Sequence, residues 1–173
     1  GLFMKAHAAD AGVLYIIDSI GGTPESVTED CTDSAGGWSY DAGTATLTLD
    51  GFQGEYIEAN GDINIVLKGK NKITISAEST EGIKSTGKVT IDDTISPVQD
   101  CLDIYCNDGT ESVSMIYTGG FGADYATYIV GGTVNLVEEN TRRRYVTGIS
   151  RWAYVENDAS LNINLSADGG RNG

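Results

Sequence analysis

Apolar and polar positions alternate in short runs along most of this chain, and the runs return with one shape. "YIEANGDINIV" (Tyr56 to Val66), "GIKSTGKVTID" (Gly82 to Asp92), "YIVGGTVNLV" (Tyr128 to Val137) and "YVENDASLNINL" (Tyr154 to Leu165) each give a strand, a small polar corner and a second strand. Aligned on their first apolar residue, the copies start at Ile57, Ile83, Ile104, Ile129 and Val155, with spacings of 26, 21, 25 and 26 residues. A period of 20–30 residues without helical periodicity is the mark of a stacked repeat. Three positions after each anchor stand Asn60, Thr86, Asn107, Gly132 and Asp158. All but the β-branched Thr86 tolerate the left-handed backbone of a sharp corner.

After the corner come apolar residues two apart: Ile63 and Ile65, Val89 and Ile91, Val134 and Leu136, Leu161 and Ile163. An inserted "DGTE" displaces the pair of the middle copy to Val113 and Met115. Residues two apart on a strand share a face, so each pair points inward while Asn64, Thr90, Ser114, Asn135 and Asn162 point to solvent. No segment sustains the spacing of an amphipathic helix, and Thr, Val, Ile and Tyr dominate the ordered stretches. An ordinary β-sandwich has no reason to repeat one unit at near-constant spacing. Coils stacked ~4.8 Å apart do, because they bring equivalent residues into ladders. The expectation is therefore an all-β parallel β-helix of about five coils over residues 47–173. Residues 1–46 depart from the repeat. "GVLYIIDSI" (Gly12 to Ile20) is a strand, and "WSYDAGTATLTLDGF" (Trp38 to Phe52) a hairpin turning at Asp41-Ala42-Gly43 with Leu47 and Leu49 inward. An open end of such a stack needs covering, so this region is assigned as an N-terminal β cap of the same single domain.

Two stretches resemble a known family. Trp38, Ser39, Tyr40, Asp41, Thr46, Leu47, Thr48, Leu49 and Gly51 match its opening element. Ile57, Gly61, Asp62, Ile63, Ile65, Leu67, Gly69, Asn71 and Ile73 match its repeat. The chain thereby resembles the right-handed β-helix carbohydrate-binding modules of Gram-positive bacterial surface proteins, closely over residues 12–92 and in outline beyond. The inserted middle copy and "EENTRRRYVTGISRW" depart from the pattern. The resemblance implies a single-stranded right-handed parallel β-helix of pectate-lyase-like type, secreted or attached to the cell wall. It further implies binding to a polysaccharide or a host or cell-surface glycan, or adhesion, with no agreed catalytic set. Two other roles compete: a structural spacer or protein-binding adhesin domain, and a polysaccharide lyase or glycoside hydrolase.

Composition narrows the chemistry. Eleven Lys and Arg against 25 Asp and Glu leave a net charge of −14, which argues against nucleic acid and against an anionic membrane surface. No apolar run reaches the ~18 residues of a membrane span. The ending "ADGGRNG" reads as a cut from a longer polypeptide, and a monomer is expected. Cys31, Cys101 and Cys106 include no Cys-x-x-Cys pair, and His7 is the single histidine, so neither a zinc cluster nor a His-based triad is expected. Cys101 and Cys106 fall on opposite faces of a strand, which favours buried free thiols.

Sugar-binding sites pack aromatic faces against pyranose rings. The residue before the anchor is Tyr56, Tyr128 and Tyr154 in three copies. Adjacent coils would stack Tyr128 on Tyr154 about 5 Å apart. Trp152 stands two residues away on the same face, Tyr105 would extend the strip, and Arg151 is nearby. These five are the expected ligand face. Arg142, Arg143, Arg144 and Arg151 also form a basic patch suited to a uronate or sulfate, or to balancing Glu138 and Glu139. The pairs Asp92–Asp93 and Glu138–Glu139 follow inward strands and would lie on one side of the stack. There they would supply a glycosidase pair or, as a weaker option, ligands for calcium. Acidic residues closing strands at solvated corners give the same pattern without any chemistry.

Overall fold

The computed structural model describes residues 13–139 and 141–165; His7 and the "ADGGRNG" ending lie outside them. The chain opens with β1 (Leu14–Ile17), β2 (Glu25–Val27), β3 (Cys31–Asp33) and β4 (Trp38–Asp41), followed by β5 (Thr46–Asp50) and β6 (Gln53–Gly54). Four triplets follow. They are β7 (Tyr56–Ala59), β8 (Ile63–Lys68) and β9 (Lys70–Ile75); then β10 (Glu81–Ser85), β11 (Val89–Asp93) and β12 (Cys101–Cys106). The third holds β13 (Val113–Thr118), β14 (Thr127–Ile129) and β15 (Thr133–Glu138), and the last β16 (Val146–Ile149), β17 (Ala153–Val155) and β18 (Ser160–Asn164). A 3-10 turn at Ala123–Tyr125 is the one helical element among the described residues.

The protein is all-β, and its strands form three sheets. Sheet A runs β16-β13-β10-β7-β1-β2, sheet B β17-β14-β11-β8-β5-β4-β3, and sheet C β18-β15-β12-β9-β6. Each triplet gives one strand to A, one to B and one to C in that order, and every contact between successive triplets is parallel. Antiparallel pairing is confined to the first five strands and their contact with β7. The expected Trp38–Phe52 hairpin is there, with Trp38 opposite Leu49 and Tyr40 opposite Leu47.

The interior is one column of aliphatic side chains from all three sheets. Alternation explains it: β8, β9, β12 and β15 each bury every second residue, as a strand with one face on a core must. β1 is buried on both faces, because Val13, Tyr15 and Ile17 join Tyr56 in a second cluster outside the main core. That double burial accounts for its unbroken apolar run.

The repeat alignment needs correction. Ile57 and Ile83 are in register in sheet A and are followed there by Ile116 and Ile149. Ile129 and Val155 instead continue Ile65 and Ile91 in sheet B. Ile104 belongs to sheet C with Ile73, Leu136 and Ile163. The five anchors thus stand in three sheets. Each strand of a round carries the same alternation, so a copy from one sheet matches a copy from another by sequence. Rounds also differ in length: equivalent positions in sheet A are 26, 33 and 33 residues apart.

Candidate functional site

Sheets A and B meet at corners that set the site. Three of these are three residues long, at 60–62, 86–88 and 150–152; the fourth, at 119–126, is eight. In the short corners polar side chains tie one round to the next. The Thr86 hydroxyl accepts from Gly61 N (2.7 Å) and donates to Asn60 Oδ1 (2.8 Å), and Asp62 Oδ1 accepts from Lys88 N (2.8 Å). Thr86 therefore serves as a bridge, which explains a residue that suits a left-handed corner poorly. The middle residue of these corners is Gly61 at φ 101°, Gly87, and Arg151 at φ 73°. A non-glycine residue in that region costs about 1–2 kcal/mol, so Arg151 is held against a backbone preference that glycine meets at Gly61, whereas Gly87 is not in the left-handed region.

Arg151 lies against the long corner. Its guanidinium carbon is 4.1 Å from the centre of the Phe121 ring, a cation–π contact. Phe121 is itself 72% exposed. Tyr125 folds back over Gly120, where any side chain would strike the ring, its Cβ falling 2.5 Å from Tyr125 Cγ. Beside this corner Tyr128 and Tyr154 stack with centroids 4.9 Å apart and planes 12° from parallel, because β14 and β17 pair them directly. The Tyr128 hydroxyl donates to Ala123 O (2.9 Å), and Lys88 Nζ stands 5.8 Å from its ring centre. Trp152, 51% exposed, precedes β17. The result is an open surface with stacked rings, further exposed aromatics and two cations facing rings.

Of the five expected residues, Tyr128 and Tyr154 are in direct contact, and Arg151 and Trp152 stand in the corner just before β17. Tyr105 is elsewhere, in sheet C, with Lys72 Nζ 4.3 Å above its ring. Tyr56 leaves the strip too. It is buried in sheet A and donates to Glu58 Oε1 (2.6 Å), and burial followed by that bond pushes its phenol above its ordinary pKa. Phe121 and Tyr125 escaped the sequence reading because they sit in an insertion outside the repeat. The signal was available: an insertion that adds aromatics to a polar corner.

The arginine patch dissolves. Arg142 makes an exposed bidentate pair with Asp108, Nε donating to Oδ1 (3.1 Å) and Nη2 to Oδ2 (2.8 Å), which holds that carboxyl below its ordinary pKa. Arg143 is buried and donates to four carbonyls: Asn107 (3.0 Å), Ser79 (3.0 Å), Glu111 (3.2 Å) and Ser76 (2.7 Å). Arg144 lies 5.3 Å from the Tyr145 ring centre. Only Arg151 reaches the aromatic surface.

The carboxylate pairs also separate. Asp92 and Asp93 end β11 beside the B–C corner, where Asp93 Oδ2 accepts from Gly132 N (3.0 Å). Glu138 ends β15, at the far side of sheet C, and is buried; Glu139 follows it, exposed. The six-residue β15 between the two corners spans roughly 20 Å, far beyond the ~5–9.5 Å of a glycosidase pair. Asp92, Asp93, Glu138 and Glu139 therefore form neither a catalytic dyad nor one cation site. Among the described residues the three carboxylates that do converge are Asp18, Glu25 and Asp33 in the cap, with oxygens within 4.8 Å of one another. Burial, then the charges of Asp18 and Asp33, raise the Glu25 pKa. Asp18 and Asp33 are also engaged as acceptors from Trp38 Nε1 and Gly36 N, both at 2.8 Å.

Two buried polar residues fasten the B–C corner. Asn71 accepts from Phe52 N (2.9 Å) and donates to Cys101 O (3.3 Å), linking the rounds on either side. Asp100 accepts from Gly69 N (2.8 Å) in the previous round and from Thr94 N, Ile95 N and Ser96 N in its own. Burial alone would raise its pKa, but bonds from Gly69, Ile95 and Thr94 outweigh it and the carboxyl sits below its ordinary value. Of the three free thiols only Cys106 is buried, while Cys31 is exposed and Cys101 intermediate, on the opposite face of β12 from Cys106.

The fold and surface define an all-β protein of stacked parallel strands with an exposed aromatic face. No helix among the described residues is long and apolar enough to cross a membrane. Comparison with family models, curated proteins and solved structures returned no match.

Proposed function

We propose that the stack is a right-handed parallel β-helix with an N-terminal cap, and that it acts outside the cell as a non-catalytic module binding a polysaccharide or cell-surface glycan. The observation that carries this reading is the stacked Tyr128–Tyr154 pair beside exposed Trp152 and Phe121, with Arg151 kept in a strained conformation over Phe121. Exposed rings on a rigid parallel sheet offer flat apolar faces without an ordering cost, and strained residues cluster where a side chain is used. The order of the strands through sheets A, B and C supports the helical path, and the resemblance over residues 12–92 supports the glycan as ligand. The surface is open, which suits a polymer lying across it better than a small enclosed ligand.

Pull-down against a panel of insoluble and soluble polysaccharides tests the reading. The parent chain should bind at least one, and Trp152→Ala should lose most of that binding. Arg151→Gly should lose binding while keeping stability within about 1 kcal/mol, since relief of strain offsets the lost ring contact and the freedom of glycine. Full binding by Trp152→Ala would put the ligand on another face. No binding to any polysaccharide would leave the spacer or protein-adhesin role in its place.

A further inference from the structure

The outer face of sheet B presents its side chains in rows, because the strands are in register. Asp41, Thr46, Asn64, Thr90, Tyr128 and Tyr154 make one row. Ser39, Thr48, Val66 and Asp92 make the next. Their strand neighbours Tyr40, Leu47, Ile65, Ile91 and Ile129 lie in the core, which turns both rows outward. From Tyr128 the first row passes Thr90 and Asn64, both small and uncharged. It reaches Thr46 three strand spacings away, roughly 14 Å.

A cavity of about 490 Å³ opens there, on the cap, with Thr32, Ser39, Thr46, Thr48, Asp30 and Asp41 in its lining. Thr32 stands opposite Ser39 and Ser39 opposite Thr48, so three hydroxyls line up across β3, β4 and β5. The rim is tied by its own carboxylates: Asp41 Oδ1 accepts from Gly43 N (2.9 Å) and Asp30 Oδ1 from Ala42 N (2.8 Å). Hydroxyls that donate and accept, with carboxylate acceptors beside them, match the hydroxyls of a sugar. The same carboxylates repel an anionic ligand, and among the described residues no Lys or Arg lines the cavity.

We infer, resting on the glycan-binding function proposed above, that this cavity is a second subsite for the same polysaccharide, and that the polymer is uncharged and crosses sheet B from Tyr128 to the cap. The row between the two ends ties them to one occupant. Thr90 and Asn64 put neither bulk nor charge in its path, and one continuous sheet carries both ends, so an extended chain meets them without rearrangement of the protein. Arg142 and Arg143, which suggested a uronate or sulfate, are engaged elsewhere, while Asp30 and Asp41 meet the polymer at the cap. Two subsites linked by one ligand act through effective concentration, so a chain long enough to reach both gains affinity that a short chain lacks.

Isothermal titration with oligosaccharides of two to six sugars from cellulose, xylan, mannan and starch tests this, beside polygalacturonate and dextran sulfate as anionic polymers. In at least one neutral series affinity should rise about tenfold or more from the shortest chain to the longest. Thr48→Glu and Ser39→Glu, both on the outer face, should each abolish that rise and leave the shortest chain's affinity unchanged. Trp152→Ala should weaken every length. Hydrogen exchange on the parent needs no variant: the longest chain should protect the amides of β3 and the shortest should not. Equal affinity at all lengths, full binding of the longest chain by Thr48→Glu, no protection of β3, or tighter binding of an anionic polymer would overturn the inference, while binding lost in Trp152→Ala would still uphold the glycan reading. Binding of none of these sugars would remove that reading and the second subsite with it.

Discussion

Replacing Arg143 by alanine removes a buried cation that donates to four backbone carbonyls. Its guanidinium serves Ser76 O and Ser79 O after β9, and Asn107 O and Glu111 O after β12, so one side chain fastens the C–A corners of two rounds. Hydrogen bonds to charged groups contribute roughly 1.5–3 kcal/mol each. Four would overshoot, because the desolvation of the cation is recovered on its removal and the released carbonyls regain water. An expected loss of about 3 kcal/mol remains, a drop of roughly 6–12 °C in Tm for a domain of this size. Arg143→Lys keeps the charge but offers donors from one point instead of a planar fork, so it should recover about half of that loss. Urea denaturation with an unchanged m-value is the primary assay. Hydrogen exchange at residues 76–80 and 107–111 gives the local counterpart, and both corners should lose protection together. If Arg143→Ala unfolds within ~0.5 kcal/mol of the parent, or if lysine substitutes fully, the clamp is not what holds these corners. The exposed Arg142–Asp108 pair is the internal contrast: its removal should change little, and less still in high salt.

Acid should act through Asp100. Its folded pKa lies below the ordinary 3.8, so its contribution is fully present above that value and is lost as pH falls through the lower folded one. Asp100→Asn should cost about 2 kcal/mol at neutral pH and flatten the loss of stability below pH ~4; an unchanged acid limb would exclude Asp100 as its source. Glu25 runs the other way, since its raised pKa weakens folding as pH rises above the ordinary 4.5, and Glu25→Gln should leave stability equal or higher at neutral pH. Thiol labelling at mildly alkaline pH should rank Cys31 first and Cys101 second, because burial and then Asp103 raise the Cys101 pKa. Cys106, pushed by burial up to about 11, should label only as fast as the chain unfolds; labelling of Cys106 at the rate of Cys31 would contradict its placement.

Alternation along single strands was legible from the sequence because it is a local consequence of one face meeting a core. It placed Ile63, Ile65, Val89, Ile91, Val134 and Leu136 inward, located the Trp38–Phe52 hairpin, and put Cys101 and Cys106 on opposite faces. The parallel stacking of Tyr128 on Tyr154 followed as well, since the two belong to copies 26 residues apart with no insertion between them.

Which strand shares a sheet with which was decided only in three dimensions. A period of two is identical in all three sheets, so Ile83 and Ile129 look equivalent in sequence and stand in different sheets. Corner lengths then carried the rest: the eight-residue corner at 119–126 delivered Phe121 and Tyr125 to the aromatic surface, and roughly a strand's length parted Asp93 from Glu138. Arg143 shows the same limit for charge, because a run of arginines reads as a basic surface until four carbonyls from distant corners enclose one of them. Local pattern specifies the face a residue takes on its own strand; the neighbour it meets depends on how much chain is spent turning between strands.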